Sequence, residues 1–236
     1  MKLSAPLFRL KRQARQLARE AKLPLHVALD RVAAREGFCS WSHLSSAQSK
    51  AKPETHVLGS LANGEMLLLA ARPGHGKTIF GLNLLAEAAK AGTPSTFFSV
   101  ECSEKEIKRR LPHHSVEELF SPDGIQIDLS EDLCADLIVG QLSAARPGTV
   151  AVIDYLQALD QRRTAPELEQ QIRTLKNFAT RRKIRLVFLS QIHRSFDPER
   201  KRLPDFSDLR LPNPVDLSLF TKGCFLHDGQ MALLAN

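Results

Sequence analysis

The stretch Ala71-Arg72-Pro73-Gly74-His75-Gly76-Lys77-Thr78 has the residue types and spacing that hold a polyphosphate. Apart from Ala71 in place of the first glycine it fits G-x-x-x-x-G-K-[ST], in which backbone N–H groups and a helix N-terminus surround phosphate oxygens. Arg72, Pro73, Gly74, His75, Gly76, Lys77, Thr78 and Ile79 form the expected nucleotide-binding set. In such a loop Lys77 brings a cation to the β- and γ-phosphates and Thr78 a hydroxyl to Mg²⁺, so ATP and Mg²⁺ are the implied cofactors. An ordinary glycine turn with a solvated lysine is the competing reading. The apolar strand before the loop and the helical run Ile79, Leu82, Leu85, Ala86 and Ala89 after it disfavour that reading.

Three more polar groups stand at the ends of short apolar runs. Asp154 closes Val150-Ala151-Val152-Ile153, which is how a Walker-B acid is presented to Mg²⁺, although a turn or capping aspartate also fits such a place. Glu101 closes Thr96 to Val100, where a carboxylate can deprotonate the water that attacks the γ-phosphate. Gln191 follows Leu186 to Leu189, within reach of the γ-phosphate as a hydrogen-bonding sensor. The plain alternatives for these two are a surface glutamate and a satisfied surface amide. Catalytic roles are therefore expected for Glu101, Lys77 and Gln191, and Mg²⁺ ligation for Thr78 and Asp154.

Groups of this kind converge only if the strands bearing them lie side by side with their carboxyl ends on one edge. The apolar runs Met66 to Ala71, Thr96 to Val100, Val150 to Ile153 and Leu186 to Leu189 alternate with helical stretches near 78–91, 104–111 and 167–181. That alternation predicts an α/β fold with a mostly parallel central sheet.

Ahead of it the pattern is wholly helical. Leu7, Leu10, Ala14, Leu17 and Ala21 step by threes and fours, while Arg12, Arg15, Arg19 and Lys22 do so on another face. Residues 1–22 hold seven Lys or Arg against Glu20, a local concentration of charge that draws polyanions. Pro24 suits a second helix start and Gly37 its stop, giving a helical hairpin closed by Phe38, Trp41 and Leu44. The polar, Pro53-containing stretch that follows reads as a linker. The predicted organisation is a basic helical module over 1–48, a linker over 49–56 and an ATPase domain over 57–236.

Composition narrows the setting. No run approaches the 18 or so apolar residues of a membrane span, and a secretory apolar core is missing from the N-terminus, so a cytoplasmic protein is expected. Cys39, Cys102, Cys134 and Cys224 are far apart, which reads as reduced thiols, and the adjacent His113 and His114 read as solvated surface rather than a metal site.

Taken together, several short motifs resemble the replicative hexameric helicases of the DnaB-like family, whose motor is a RecA-like P-loop ATPase domain. The likeness runs from about Gly64 to the C-terminus. It is carried by Gly64-Glu65, Ala71-Arg72-Pro73, Phe98-Ser99-Val100-Glu101, Ile153-Asp154-Tyr155-Leu156-Gln157, Leu189-Ser190-Gln191 with Arg194-Ser195, and Ser207-Asp208-Leu209-Arg210. That family also tolerates alanine at the first loop position. The resemblance implies that Gln191 couples hydrolysis to DNA-contacting loops, one with Arg162 and Arg163 and another with Arg194, Arg200, Lys201 and Arg202. Solvated charged loops are an equal alternative for both. The family usually continues into a basic segment that gives an arginine finger to the next subunit, whereas this sequence stops at Asn236, and the first 50 residues are unlike the family's primase-binding domain. Slow hydrolysis and no self-sufficient processive unwinding are expected on that ground.

The leading expectation is an ATP-driven motor or switch on DNA, single-stranded DNA first, with Arg12, Arg15 and Arg19 assisting and a homo-oligomer in view. The alternative is a nucleotide-gated interaction module whose N-terminal helices recruit a protein partner with little turnover. Placing the basic helix on a membrane or in a transit peptide fits least, because its Leu and Ala stripe is modest and a second helix follows at once.

Overall fold

The computed structural model describes residues 7–21, 23–44, 52–110, 120, 124–160, 166–211 and 213–236. The expected pair Arg162 and Arg163, with Lys22, His113 and His114, falls outside the described residues. The chain divides into two compact units, Met1–Pro53 and Glu54–Asn236.

In the first unit, α1 (Leu7–Glu20) packs on α2 (Leu25–Arg35) through Leu10, Ala14, Leu17, Leu29, Val32 and Ala33, with Phe38, Trp41 and Leu44 closing the cluster. Leu10, Ala14 and Leu17 are among the apolar positions that the three-and-four spacing singles out, and Arg12, Arg15 and Arg19 are left exposed on the other face. α2 ends as the sequence predicts. Gly37 adopts φ 83, its N–H bonds Ala34 O at 3.0 Å, and the Phe38 N–H reaches back to Ala33 O at 3.0 Å. That pair of bonds is the Schellman stop.

α3 (Pro53–Ser60), all but its first residue in the second unit, starts inside the stretch expected as linker. Pro53 sits at its first residue, where a missing N–H costs nothing, and Val57 and Leu61 reach the core. A seven-stranded sheet follows in the order β3-β2-β4-β5-β1-β6-β7. Its strands are β1 (Met66–Ala71), β2 (Ser95–Ser99), β3 (Ile125–Asp128), β4 (Val150–Asp154), β5 (Arg185–Gln191), β6 (Lys222–His227) and β7 (Gln230–Ala235). All neighbours pair in parallel except β6 with β7.

Period-two alternation splits the strand residues between two cores. Leu67, Leu69, Phe97, Val150, Val152, Val187 and Leu189 pack with α4 (Lys77–Lys90) and α5 (Glu104–Arg110). Met66, Leu68, Phe98, Ala151, Ile153, Leu186 and Phe188 pack with α6 (Ala135–Gln141) and α7 (Leu168–Arg182) on the opposite face. The expected α/β class with a mostly parallel sheet is what forms. Among the described residues no helix is long and apolar enough to cross a membrane.

Three strands are absent from the sequence-based expectation, namely β3, β6 and β7. The last two form a hairpin whose turn residues Asp228 and Gly229 both have positive φ, 46° and 69°. Asp-Gly is the dipeptide such a two-residue turn demands.

β6 also carries a packing constraint. A methyl added to Gly223 would lie 2.5 Å from Phe225 Cε2 and 2.6 Å from Phe206 Cζ, two rings already in edge-to-face contact at 5.1 Å. Phe225 is fully buried and cannot swing aside. Gly223→Ala is therefore expected to destabilise the domain by about 1–3 kcal/mol, read as a lower urea midpoint at unchanged slope.

Candidate active site

The parallel register brings the tips of β1, β2, β4 and β5 to one edge of the sheet. Ala71 is level with Gln191, and Ser99 with Asp154. Ile153 is level with Phe188, so Asp154 ends its strand about 6–7 Å deeper than Gln191, two residues of rise. The edge is thus a cleft with an acid on its floor and an amide toward its rim.

The loop from β1 to α4 has the shape its sequence predicts. Gly74 and Gly76 take φ 82 and 83, in the left-handed region that a side chain disfavours, and Gly76 caps α4 without any side-chain hydrogen bond. The first N–H groups of that helix therefore face the loop with no capping group of its own. Lys77 and Thr78 open α4, and Ile79 is exposed.

The Thr78 hydroxyl donates to Asp154 Oδ2 at 2.9 Å, joining the loop to the β4 tip. Asp154 is fully buried, and its Oδ1 has no hydrogen-bond partner. Burial pushes its carboxyl above the usual carboxylate range, Lys77 and the Thr78 hydrogen bond pull it back, and the charge of Glu101 adds to the rise. A buried carboxylate with an idle oxygen, beside a hydroxyl, is a donor set for a hard divalent cation, so the residues present fit Mg²⁺. The Lys77 ammonium lies 6.0 Å from the Tyr155 ring centre.

Glu101 is not the last residue of its strand. β2 stops at Ser99, whose hydroxyl accepts from the N–H groups of Glu101 and Cys102 at 3.2 and 3.3 Å, so the chain turns and the Glu101 side chain is exposed at the cleft. Arg110, from α5, donates to Cys102 Sγ at 3.0 Å and braces the same turn.

Gln191 is tied to a segment that sequence reasoning did not link with it. Its carbonyl accepts from Arg210 N at 2.8 Å, and its side-chain oxygen lies 3.5 Å from Arg210 Nη1. Gln157 donates to both Ser190 Oγ and Arg210 O, at 3.1 and 2.7 Å. The Ile192–Leu209 bridge and the His193 N–H to Asp208 O bond of 2.7 Å then close the base of a loop spanning 193–208. Arg72 reaches across from the phosphate loop to Arg194 O at 3.2 Å. Arg210 and Gln157 stand in the motif-like stretches of the sequence, but only this latch shows their use.

That loop carries the basic residues Arg194, Arg200, Lys201 and Arg202. They are not equivalent. Lys201 is neutralised by Asp205 and Asp208 at 2.5 and 2.7 Å, and its hydrogen bond holds the Asp205 carboxyl down to about 2. Arg202 donates to Gln230 Oε1 at 2.8 Å, and Arg200 is exposed with a looser 3.4 Å pair to Asp197. In the other unit, Arg12, Arg15 and Arg19 are exposed on α1 and, with Lys11 and Gln16, line a shallow basic groove.

Comparison with known proteins assigns the chain to a family and a fold. The family described as "DnaB-like helicase C terminal domain" matches residues 54–119 and 134–215. The replicative DNA helicase DnaB of Synechocystis sp. is 28% identical over 185 residues, covering 65% of this chain and 21% of the relative. Its counterpart from Mycoplasma genitalium is 28% identical over 196 residues, covering 66% and 42%. The chain thus spans less than half the length of these relatives. Among solved structures, a DnaB-like replicative helicase, described with its interactions with primase, shares the fold at a TM-score of 0.59 and 19% identity, covering 93% of this chain and 67% of that one.

Proposed function

The chain belongs to the DnaB-like helicase C-terminal domain family, and from that premise we propose that it binds and hydrolyses ATP in the cytoplasm as a motor or switch on DNA in replication. The 2.9 Å bond from Thr78 to a buried Asp154 with one idle oxygen carries the proposal. Thr78 and Asp154 hold Mg²⁺, which offsets the charge of the β- and γ-phosphates. Backbone N–H groups of Arg72 to Ile79 line the phosphates, and Lys77 brings a cation to the γ group. Glu101 takes the proton from the attacking water, and its exposed position at the cleft leaves room for that water. Gln191 hydrogen-bonds the γ-phosphate and passes its loss through Arg210 and Gln157 to the loop at 193–208.

DNA meets this loop chiefly through Arg194, Arg200 and Arg202, because Lys201 is already neutralised by two carboxylates. Arg162 and Arg163 belong to the same reading. Residues 1–48 act as a separate basic module that raises local affinity for the strand and offers a protein-recruiting surface, and copies of the chain associate. The alternative, a nucleotide gate with little turnover, differs in one measurable respect.

ATP turnover is expected to rise when single-stranded DNA is added. ATP binding with no stimulation by DNA leaves the nucleotide gate and overturns the motor. In the same titration, Arg12, Arg15 and Arg19 changed together to Glu are expected to weaken DNA binding. The slope of log affinity against log salt is expected to flatten by about 2, three lost phosphate contacts at about 0.7 each. An unchanged slope removes α1 from the DNA interface.

A further inference from the structure

The phosphate loop has a second contact that ATP binding does not require. His75, between Gly74 and Gly76, stacks on His227 at the end of β6, with ring centres 5.0 Å apart and planes 15° from parallel. Asp228, the first residue of the β6–β7 turn, faces both rings. Its Oδ1 is 3.4 Å from His75 Nδ1 and its Oδ2 is 3.7 Å from His227 Nε2. Neither separation is a normal hydrogen bond, so the carboxylate closes on neither ring. His227 is 7% exposed, walled by the Phe196 ring at 5.2 Å, and its Nδ1 is buried with no hydrogen-bond partner.

We propose that His75, His227 and Asp228 form a binding site for a zinc-class divalent cation that fastens the phosphate loop to the β6–β7 hairpin. One ligand atom from each residue already lies within 4.8 Å of the others. A tetrahedral ion with bonds of about 2.0–2.1 Å needs them about 3.3 Å apart, a closure of roughly 1–1.5 Å. The parts that must move are the movable ones, since the Asp228 side chain is 72% exposed and that of His75 28%. His227 stays fixed in the wall as the anchor. Two imidazoles and one carboxylate favour zinc, copper or nickel over Mg²⁺, so this site does not compete with Thr78 and Asp154 for the same ion. Three protein ligands leave a fourth position for water. His75 stands far in the sequence from His227 and Asp228, at the end of a different element, which is why no Cys/His spacing betrays the site.

The test needs metal alone, without nucleotide, and so stands or falls separately from the ATP reading. Co²⁺, a coloured substitute for zinc, is titrated into the full chain. A single Co²⁺ is expected to bind with a nitrogen–oxygen spectrum and to be displaced by Zn²⁺. Asp228→Asn and His75→Gln should each weaken it at least about 10-fold. Asn tolerates the left-handed backbone of position 228, so that variant keeps its fold. Amide exchange over 72–78 and 226–231 should slow with Zn²⁺ in the native chain and not in Asp228→Asn. Binding unchanged in both variants, no Co²⁺ uptake, or a thiolate band from Cys39, Cys102, Cys134 or Cys224 overturns the proposal.

Discussion

Lys77→Ala is expected to lower ATP turnover by at least about 10²–10³-fold at saturating ATP, because it removes a fixed positive charge from the place where γ-phosphate charge develops. The loss has a second cause particular to this site. Asp154 is fully buried, and Lys77 is the foremost group opposing the rise that burial imposes on its carboxyl. Without the ammonium the carboxyl moves higher still and holds its proton over a wider range of pH. A protonated Asp154 cannot ligate Mg²⁺, so the nucleotide affinity that remains in the variant should recover as pH rises, more steeply than in the native chain. Turnover and binding of a fluorescent nucleotide, each measured across pH, check both parts. Turnover within tenfold of native would remove Lys77 from the site.

How far such a site can be read from sequence depends on where each residue stands. β1, β2, β4 and β5 are central parallel strands with buried interiors, so each shows a short apolar stretch in the sequence, and the groups that matter end β4 and β5 or follow β1 and β2 within a few residues. β3 lies at the sheet edge as Ile-Gln-Ile-Asp, four residues with only Ile125 fully buried, too short and too polar to stand out. β6 begins with Lys222, whose ammonium is satisfied by Glu65 at 2.6 Å, and its Gly223 is dictated by two phenylalanine rings rather than by any local signal. The Asp228-Gly229 turn was the available clue to the hairpin. The His75, His227 and Asp228 trio had none, since it arises where separate elements end beside each other, and the motif-like stretches that hold Gln157 and Arg210 mark those residues without showing that they pair. Within the first unit, by contrast, one helical period places both the core of α1 and its arginines.

Glu101 provides the sharpest separation of chemistry from binding. Glu101→Gln keeps the shape of the side chain and the turn, because the turn is held by the Ser99 hydroxyl and the backbone N–H groups, not by the carboxylate. It removes the base, so turnover is expected to fall by about 10²–10⁴-fold. Binding should move the other way. The Glu101 charge raises the proton affinity of Asp154, and its removal leaves Asp154 more fully ionised and better able to hold Mg²⁺. The Kd for ATP with Mg²⁺ should therefore be unchanged or modestly tighter while hydrolysis stops. A general loss of the site would instead weaken binding and turnover together. Single-turnover hydrolysis beside equilibrium binding tells these apart, and a variant that still hydrolyses at the native rate would pass the role of base from Glu101 to another group at the cleft.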